Sequence, residues 1–366
     1  MAAGVDEQPS QEVRADGKHE ERDDAPAASG PAPAVMPTTT LEADDEGDTF
    51  EDDDSALGTL RGSSDSGSLT ESVTDYRFEH GRRYHSPRAG DYHLPNDETE
   101  QDRLDFQHHI FRIALDGRAF FSPMPTEKIR NVLDIGCGTG VWCMEVASQL
   151  PDAKVEGIDI SPIQPAMVPP NCYFYVDDCN ADWVSEQRYD LIHTAALTLA
   201  VTDWAKLIER VYEALRPGGY IELHEYHGLV VCRNKPDPPE PYLVQLSKYI
   251  SEAMHKMGRD FNAPPMLGDM LRAAGFVDVE VATQEWPVGT WPKGRKNKTI
   301  GAAQTKNMKE AARNSVGIFT RVLGWQLEEF QVFSARVAQE VDSGEMQAQT
   351  TVYFIHARKP EEGEAH

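Results

Sequence analysis

From residue 132 onward, short apolar runs alternate with segments of helical periodicity, and this alternation limits the choice of fold more than any other feature of the chain. The apolar runs predict strands at 132–135, 155–160, 172–176, 189–193, 220–224, 276–282 and 351–357. The periodic segments predict helices at 141–150, 204–215, 242–257 and 266–274, and a largely helical stretch at 302–342. Strands that alternate with helices form a parallel sheet covered by helices on both faces. The sequence therefore predicts an α/β domain.

The first 75 residues have a different composition. They hold 20 acidic and 4 basic side chains, and the whole chain has a net charge of −26. A segment so charged and so poor in apolar residues cannot bury enough surface to offset the entropy lost on ordering. We therefore predict disorder here, in a tail that serves either regulation or solubility. Order is expected to begin at the aromatic residues Tyr76, Phe78, Tyr84 and Tyr92.

These contrasts predict the organisation of the chain. It is expected to divide into a disordered acidic tail at 1–75, an N-terminal helical lid segment at 76–125, an α/β domain at 126–359 with a helical insertion at 284–345, and a disordered tail at 360–366. Within the lid segment, residues 98–115 have the spacing of an amphipathic helix. The cluster Tyr84, His85 and Tyr92 either covers a ligand site or packs plainly against the domain. The aromatic residues of 319–330 form core, a substrate cap or a partner surface.

Composition and charge also exclude several classes of function. The acidic balance argues against direct binding of nucleic acid, which requires concentrated Lys and Arg. The basic run at 293–298 is a solvated loop or a nuclear import signal. The five cysteines match no disulfide or metal framework, which indicates a reducing compartment and no metal site. Neither a secretory leader nor a run of about 18 apolar residues is present, so we expect an intracellular protein without a membrane span.

The segment 134–140, Asp-Ile-Gly-Cys-Gly-Thr-Gly, connects the first predicted strand to a helix. Gly136, Gly138 and Gly140 allow a sharp turn and close approach of a ligand, and the helix N-terminus offers free N–H groups. Dinucleotide-binding loops read G-x-G-x-x-G, whereas here the third glycine comes one residue early. Asp134 just before the loop favours a ligand with an ammonium or sulfonium group. The loop therefore predicts a site for the amino-acid end of a smaller adenosine cofactor.

Three further acids stand at the ends of the second and third predicted strands. Asp159 ends the second predicted strand, where a carboxylate can accept hydrogen bonds from a ribose diol, although a cap or turn residue is the alternative. Asp177 and Asp178 end the third strand, and either could accept a bond from an adenine amino group; we favour Asp178 over Asp177, and a surface turn explains the pair otherwise. Because carboxyl ends of parallel strands share one edge of a sheet, these acids are expected to lie near the glycine loop.

The order VLDIGCGTG, GIDIS, VDDC, YDLIH and LRPGGYIELHE resembles class I S-adenosylmethionine-dependent methyltransferases. More specific stretches resemble the fungal LaeA-like methyltransferases, which include a global regulator of secondary metabolism. These stretches are Tyr84-His85, YHLPNDE at 92–98, GIDISPIQP at 157–165, VPPNC at 168–172, and Trp204. The resemblance covers residues 76–359. The four prolines at 161–170 exclude a regular helix there.

The resemblance implies a Rossmann-like, mostly parallel sheet of seven strands, the last one antiparallel between the fifth and sixth. It also implies that S-adenosylmethionine is the cofactor. The glycine loop would hold its methionine part, Asp159 its ribose, Asp178 and Cys179 would flank its adenine, and His193 would lie at its reactive end. The full set of expected cofactor-binding residues is Asp134, Gly136, Cys137, Gly138, Gly140, Asp159, Ile160, Asp178, Cys179 and His193. One departure is Ala195, since related chains commonly have an Arg at that position.

No catalytic residue follows from the sequence. Methyl transfer needs a base only when the acceptor arrives protonated, and the candidates are His193, His224, Glu225 and His227. Three hypotheses remain for the function: a regulatory methyltransferase, a biosynthetic methyltransferase acting on a small metabolite, and a cofactor-binding scaffold in a regulatory protein complex. The acceptor would be a small molecule or a protein, and a regulatory protein partner is compatible with the acidic tail. Only the resemblance favours the nucleus over the cytoplasm.

Overall fold

The computed structural model describes residues 36–44, 75–86, 92–183, 188–234 and 239–364. The strands are β1 (Arg77–Glu79), β2 (Arg82–Tyr84), β3 (Asn131–Ile135), β4 (Lys154–Asp159), β5 (Cys172–Val176), β6 (Tyr189–Ala195), β7 (Leu215–Cys232), β8 (Val277–Val288) and β9 (Ala348–Arg358). The helices are α1 (Glu98–Ala114), α2 (Val141–Gln149), α3 (Trp204–Ala214), α4 (Tyr242–Lys256), α5 (Leu267–Ala273), α6 (Arg295–Asn314) and α7 (Leu327–Asp342). A π-helical turn lies at Ile318–Val322.

Seven strands form one sheet in the order β5-β4-β3-β6-β7-β9-β8. Strands β3 to β7 are mutually parallel, and β9 is antiparallel to both β7 and β8. The predicted seven-stranded, Rossmann-like sheet with the last strand inserted antiparallel is confirmed. After β3, the chain adds β4 and β5 on one side of this strand and then β6 and β7 on its other side. Such a switch point opens a crevice at the carboxyl ends of the strands.

Strands β7 and β8 are much longer than predicted. The added residues pair with the start of β9: Ala348–Thr350 bond to Val230–Cys232 of β7 on one side and to Trp286–Val288 of β8 on the other. This long-range pairing leaves no local signal in the sequence. Pro287 is tolerated because β8 is the edge strand of the sheet. The helical insertion consequently begins after Val288 and not at residue 284.

Residues 36–44 pack on the domain, although they lie in the segment predicted to be disordered. Met36 and Leu41 are buried, Thr39 bridges to Gln284 of β8, and the Lys298 ammonium pairs with Asp44 at 2.5 Å. Disorder is therefore not observed for this short segment, because two apolar side chains and an edge strand give it partners. The rest of the predicted tail, at 1–35 and 45–74, lies outside the described residues.

The start of the predicted lid segment and the predicted C-terminal tail also differ from expectation. The segment at 76–125 opens with the antiparallel hairpin β1–β2 and only then forms helix α1. Asp97 caps α1 by accepting a bond from the N–H of Glu100. At the C-terminus, Glu364 forms an ion pair with Arg358 at 2.8 Å, so part of the stretch predicted as a second tail is held against β9.

The helical insertion forms a second core beside the sheet. Phe319 is buried at its centre, and its ring contacts those of Trp325, Phe330 and Phe333 edge-on or tilted. Tyr249 of α4 contacts Phe319 and Phe333 and completes the cluster. Of the three readings of this aromatic stretch, the structure shows core packing. No helix in the described ranges has the length and apolar character needed to cross a membrane.

Candidate active site

The carboxyl ends of β3, β4, β5 and β6 open into one large cavity of about 710 Å³. Its size falls within the range of pockets that bind cofactors and small molecules. Six of the residues that the sequence assigned to the cofactor line this cavity: Gly136, Gly138, Asp159, Ile160, Asp178 and Cys179. The register of the parallel strands therefore brings together residues from three separate segments of the chain.

The glycine loop has the backbone that the sequence predicted. Gly136, Gly138 and Gly140 have φ angles of +71°, +55° and +79°, in the left-handed region that disfavours other residues. A Cβ at Gly136 would lie 2.4 Å from Leu197, and one at Gly140 would lie 2.3 Å from the ring of Phe174. A Cβ at Gly138 would meet only Leu104, at 3.5 Å. Packing thus excludes a side chain at Gly136 and Gly140, whereas at Gly138 the missing side chain leaves room for a ligand in the cavity.

Asp159 connects the loop to the following segment. Its carboxylate accepts hydrogen bonds from the backbone N–H of Gly138 at 2.9 Å and of Ser161 at 2.8 Å. Burial raises the pKa of this carboxyl to about 6, although both backbone bonds favour its ionised form. One backbone donor on each oxygen leaves further lone pairs, as a carboxylate that binds a ribose diol requires.

The proline-rich segment 161–170 contains no helix or strand, as predicted. Gln164 in this segment donates from its amide to the carbonyl oxygen of Gly138 at 2.6 Å and to that of Ser161 at 3.0 Å. Asn96, from the segment before α1, donates to the Ser161 hydroxyl at 3.3 Å. The segment that resembled one subgroup of methyltransferases therefore clamps the glycine loop from the side. No motif in the sequence assigns this role to Gln164.

Asp178 and Cys179 lie at the end of β5. The Asp178 carboxylate accepts bonds from the backbone and the side-chain amide of Asn180, at 2.9 and 3.1 Å. Cys179 is buried, and burial raises the pKa of its thiol to about 12, so the thiol is neutral. Asn180 also accepts two bonds from Thr202 and was missed, because it follows the motif in an irregular turn.

The other four predicted residues do not line the large cavity. Asp134, Cys137 and His193 border a separate cavity of about 80 Å³ behind the glycine loop, and Gly140 forms the N-cap of α2. His193 was expected at the reactive end of the cofactor. The structure instead buries its ring face to face with Trp142, at 3.9 Å between centroids. Contact of these four residues with a cofactor stays a prediction.

Behind the loop, four titratable side chains form a buried row. His193 joins Asp134 through Nδ1 at 2.8 Å and His224 through Nε2 at 3.3 Å, and His224 Nε2 joins Glu222 at 2.8 Å. Glu222 also accepts from the backbone N–H groups of Phe121 and Ser122. Burial raises the pKa of Asp134 to about 7 and lowers that of His193 well below its ordinary value. Three hydrogen bonds thus fix both imidazoles in place.

Glu225 organises the loop that follows β6. It is buried and accepts bonds from the N–H of Leu197 and from both the N–H and the hydroxyl of Thr198, at 3.2, 3.0 and 2.7 Å. Burial raises its pKa to about 7. Ala196 in this loop has a φ of +54°, a strained value for a residue with a side chain. Glu225 therefore shapes the cavity wall at 195–200 and has no free oxygen directed at a ligand.

The far half of the cavity is built by elements that carry no sequence motif. Its apolar wall comes mainly from α4 and α6 and their flanks, and includes Leu246, Ile250, Met257, Phe261, Met308 and Ile318. Arg103 of α1 also lines it, paired with Glu100 at 2.7 Å and bonded to Asn307 of α6 at 2.9 Å. Only tertiary packing brings these helices together, so their periodicity alone could not identify them.

Of the predicted lid cluster, only Tyr92 reaches the cavity. It lines the wall beside Leu94, Pro95 and Asn96. Tyr84 is buried under the guanidinium of Arg321, 4.1 Å from its ring centroid. The segment before α1 thus covers the crevice, and its opening and closing as a lid stays a prediction.

Comparison with known proteins places this site in a family. The family model of a methyltransferase domain matches residues 106–281. Methyltransferase pytC of Aspergillus terreus is 35% identical over 329 residues, 89% of this chain and 98% of that protein. The secondary metabolism regulator laeA of Aspergillus flavus is 33% identical over 289 residues, 77% of each chain. The protein-methionine methyltransferase laeA of Emericella nidulans is 34% identical over 292 residues, 78% of this chain and 77% of that one.

The chain belongs to the LaeA-like family of fungal methyltransferases. It is an S-adenosylmethionine-dependent enzyme, and its methyl donor is S-adenosylmethionine. The residues present fit this cofactor: a glycine with no side chain beside the cavity, a half-buried carboxylate for a diol, and a carboxylate and thiol at the next strand end. Ala195, the last residue of β6, stands where the resemblance implies an Arg, and it lines the cavity.

Proposed function

We propose that this LaeA-like protein methylates an acceptor of secondary metabolism, with the cofactor at the glycine-loop end of the cavity and the acceptor in its apolar half. The observation that carries the proposal is the shared cavity. Gly138, Asp159 and Asp178 line one part of it, and the apolar side chains of α4 and α6 line the other. Binding both reactants in one enclosed space supplies most of what methyl transfer requires of a protein.

The cofactor residues of the proposal are those that face this cavity. Gly136 and Gly138 would hold the methionine part, Asp159 would accept bonds from the ribose, and Asp178 with Cys179 would border the adenine. S-adenosylmethionine supplies an electrophilic methyl group when bound. The chain contributes position, through the clamp of Gln164 on the loop, and exclusion of water, through Tyr92 and the segment around it.

A regulatory role in secondary metabolism is supported by the laeA proteins of Aspergillus flavus and Emericella nidulans, which carry that role or a protein-methionine activity in their names. On this reading the acceptor is a protein side chain that enters the cavity, and the enzyme works in the nucleus with a protein partner.

A biosynthetic role is the second candidate, and the shape of the cavity favours it. The apolar half of the cavity is lined from several sides by α1, α4 and α6, which suits a small, mostly apolar molecule.

Transfer of a tritiated methyl group from S-adenosylmethionine into a fungal mycelial extract tests the proposal. The extract is separated by ultrafiltration into protein and small-molecule fractions before the enzyme is added. Label in the protein fraction supports the regulatory reading, and label in the small-molecule fraction supports the biosynthetic one. Cofactor binding without label in either fraction would contradict both and favour a scaffold. Gly138→Arg, which fills the cofactor end, is the matched inactive control.

A further inference from the structure

Four titratable side chains on β6 and in the middle of β7 could act as a base, and their surroundings differ. His193 and His224 are fixed in the buried row, and Glu225 is saturated by the loop after β6. His227 differs, because this residue lines the large cavity and is only half-buried. In the described part of the chain its imidazole has no hydrogen-bond partner; its ring contact is with Tyr353, 6.4 Å between centroids.

A bulge in β7 determines where His227 lies. Tyr226 pairs with Val352 and Val230 pairs with Thr350, so three residues of β7 stand opposite one residue of β9. The Thr350 hydroxyl donates to the carbonyl oxygen of His227 at 2.9 Å and holds the bulge in place. Bulges commonly redirect a side chain next to an active site.

The residue after His227 supports this placement. A Cβ at Gly228 would lie 2.1 Å from the ring of Phe261, so only glycine lets this ring pack on the bulge. Phe261 itself lines the cavity. Burial lowers the pKa of His227 below its ordinary value of 6.5, so its ring is neutral at pH 7 and retains a lone pair.

We propose that His227 is the general base of this enzyme and that its acceptor is a mostly apolar small molecule methylated on a hydroxyl group. The inference rests on the proposed function and specifies its acceptor. A thioether or a carboxylate arrives without a proton to remove and would need no such base. The apolar walls of α4 and α6 suit a neutral acceptor, and a neutral hydroxyl becomes a good nucleophile only as it loses its proton.

The step balances without a further reactant. The acceptor oxygen gives its proton to the imidazole of His227 and forms the new O–CH₃ bond. The S–CH₃ bond of the donor breaks, and its electron pair remains on sulfur. The imidazolium then releases the proton to water, which restores the neutral base.

The test measures initial rates of tritiated methyl transfer into the small-molecule ultrafiltrate of a fungal extract. It compares the wild type with His227→Gln, His227→Ala and His255→Gln, a matched histidine that is exposed on α4. We expect His227→Gln to lower the rate by about 10²–10⁴-fold. Calorimetry should show unchanged affinity for S-adenosylmethionine in all variants. Added imidazole should restore a substantial part of the rate of His227→Ala, which a purely structural role of His227 would not allow.

Each contrary result has a distinct meaning. If His227→Gln keeps the wild-type rate, or if the wild type labels only protein thioethers, His227 is not the base, and methyl transfer itself stands. If the rate falls but imidazole gives no rescue and the affinity for the cofactor falls in parallel, His227 is structural and the proposal is overturned. If the wild type transfers no label at all, the proposed function fails together with the inference.

Discussion

Acidification should weaken binding of S-adenosylmethionine through Asp159. The ionised carboxylate is the form that accepts hydrogen bonds from ribose hydroxyls, and burial raises its pKa to about 6 in the free enzyme. A carboxyl with a raised pKa is increasingly protonated as the pH falls through 6. At pH 5 only about a tenth of the molecules would carry the ionised form, so the apparent Kd should be about tenfold weaker than at pH 7.5.

Titration calorimetry of S-adenosylmethionine between pH 5 and pH 8 measures this effect. Asp159→Asn should bind more weakly at every pH and lose the pH dependence, because the amide does not titrate and its NH₂ group opposes one of the two backbone donors. Asp152→Asn, which removes an exposed carboxylate from the turn before β4, is the control and should follow the wild type. Two results would refute the assignment of Asp159: a wild-type Kd that is constant over this range, or an affinity of Asp159→Asn that still becomes tenfold weaker at low pH.

Four further substitutions test the packing of the site and of residues 36–44. Gly140→Ala should cost about 2–4 kcal/mol in free energy of unfolding, because its Cβ would lie 2.3 Å from Phe174. Gly138→Ala should cost only about 1 kcal/mol, because its φ is also positive but its Cβ would meet only Leu104, at 3.5 Å; equal losses in urea titration would contradict this contrast. Glu222→Gln should cost about 3–5 kcal/mol, since it leaves buried donors unpaired, and a thermal midpoint unchanged from wild type would argue against the buried row. Leu41→Ala should cost about 2–3 kcal/mol with an unchanged Kd for S-adenosylmethionine, and an unaltered stability would show that residues 36–44 do not pack as described.

The fold was largely predictable because the strands β3 to β6 coincide with short apolar runs, although the edge strand β5 is mostly exposed. The parts of the fold that were not predicted depend on contacts between distant segments of the chain. The extensions of β7 and β8 depend on pairing with Ala348–Thr350, more than a hundred residues from β7 in the chain. The docking of Leu41 on the edge of β8 depends on one apolar side chain in an acidic stretch, which composition averaged over 75 residues conceals.

The position of a residue at a strand end predicted which residues lie at the cavity, but the sequence did not predict in which direction each side chain points. Gly138, Asp159 and Asp178 were located correctly at the cavity, because the carboxyl ends of parallel strands share an edge. His193 was placed at the cavity by its position in the motif, yet its side chain points to the opposite side, toward Trp142. His227 could not be distinguished from its neighbours, because a bulge alters the alternation of a strand and has no signature in one sequence.

We infer that cofactor and acceptor share the cavity between the glycine loop and α4, and a crystal structure with S-adenosylhomocysteine would locate both ends of the cofactor. We expect the ribose hydroxyls within hydrogen-bond distance of the Asp159 carboxylate and the amino-acid end beside Gly136 and Gly138. The sulfur should point toward the half of the cavity that contains His227. A ligand bound elsewhere, or one whose sulfur points away from that half, would contradict this inference.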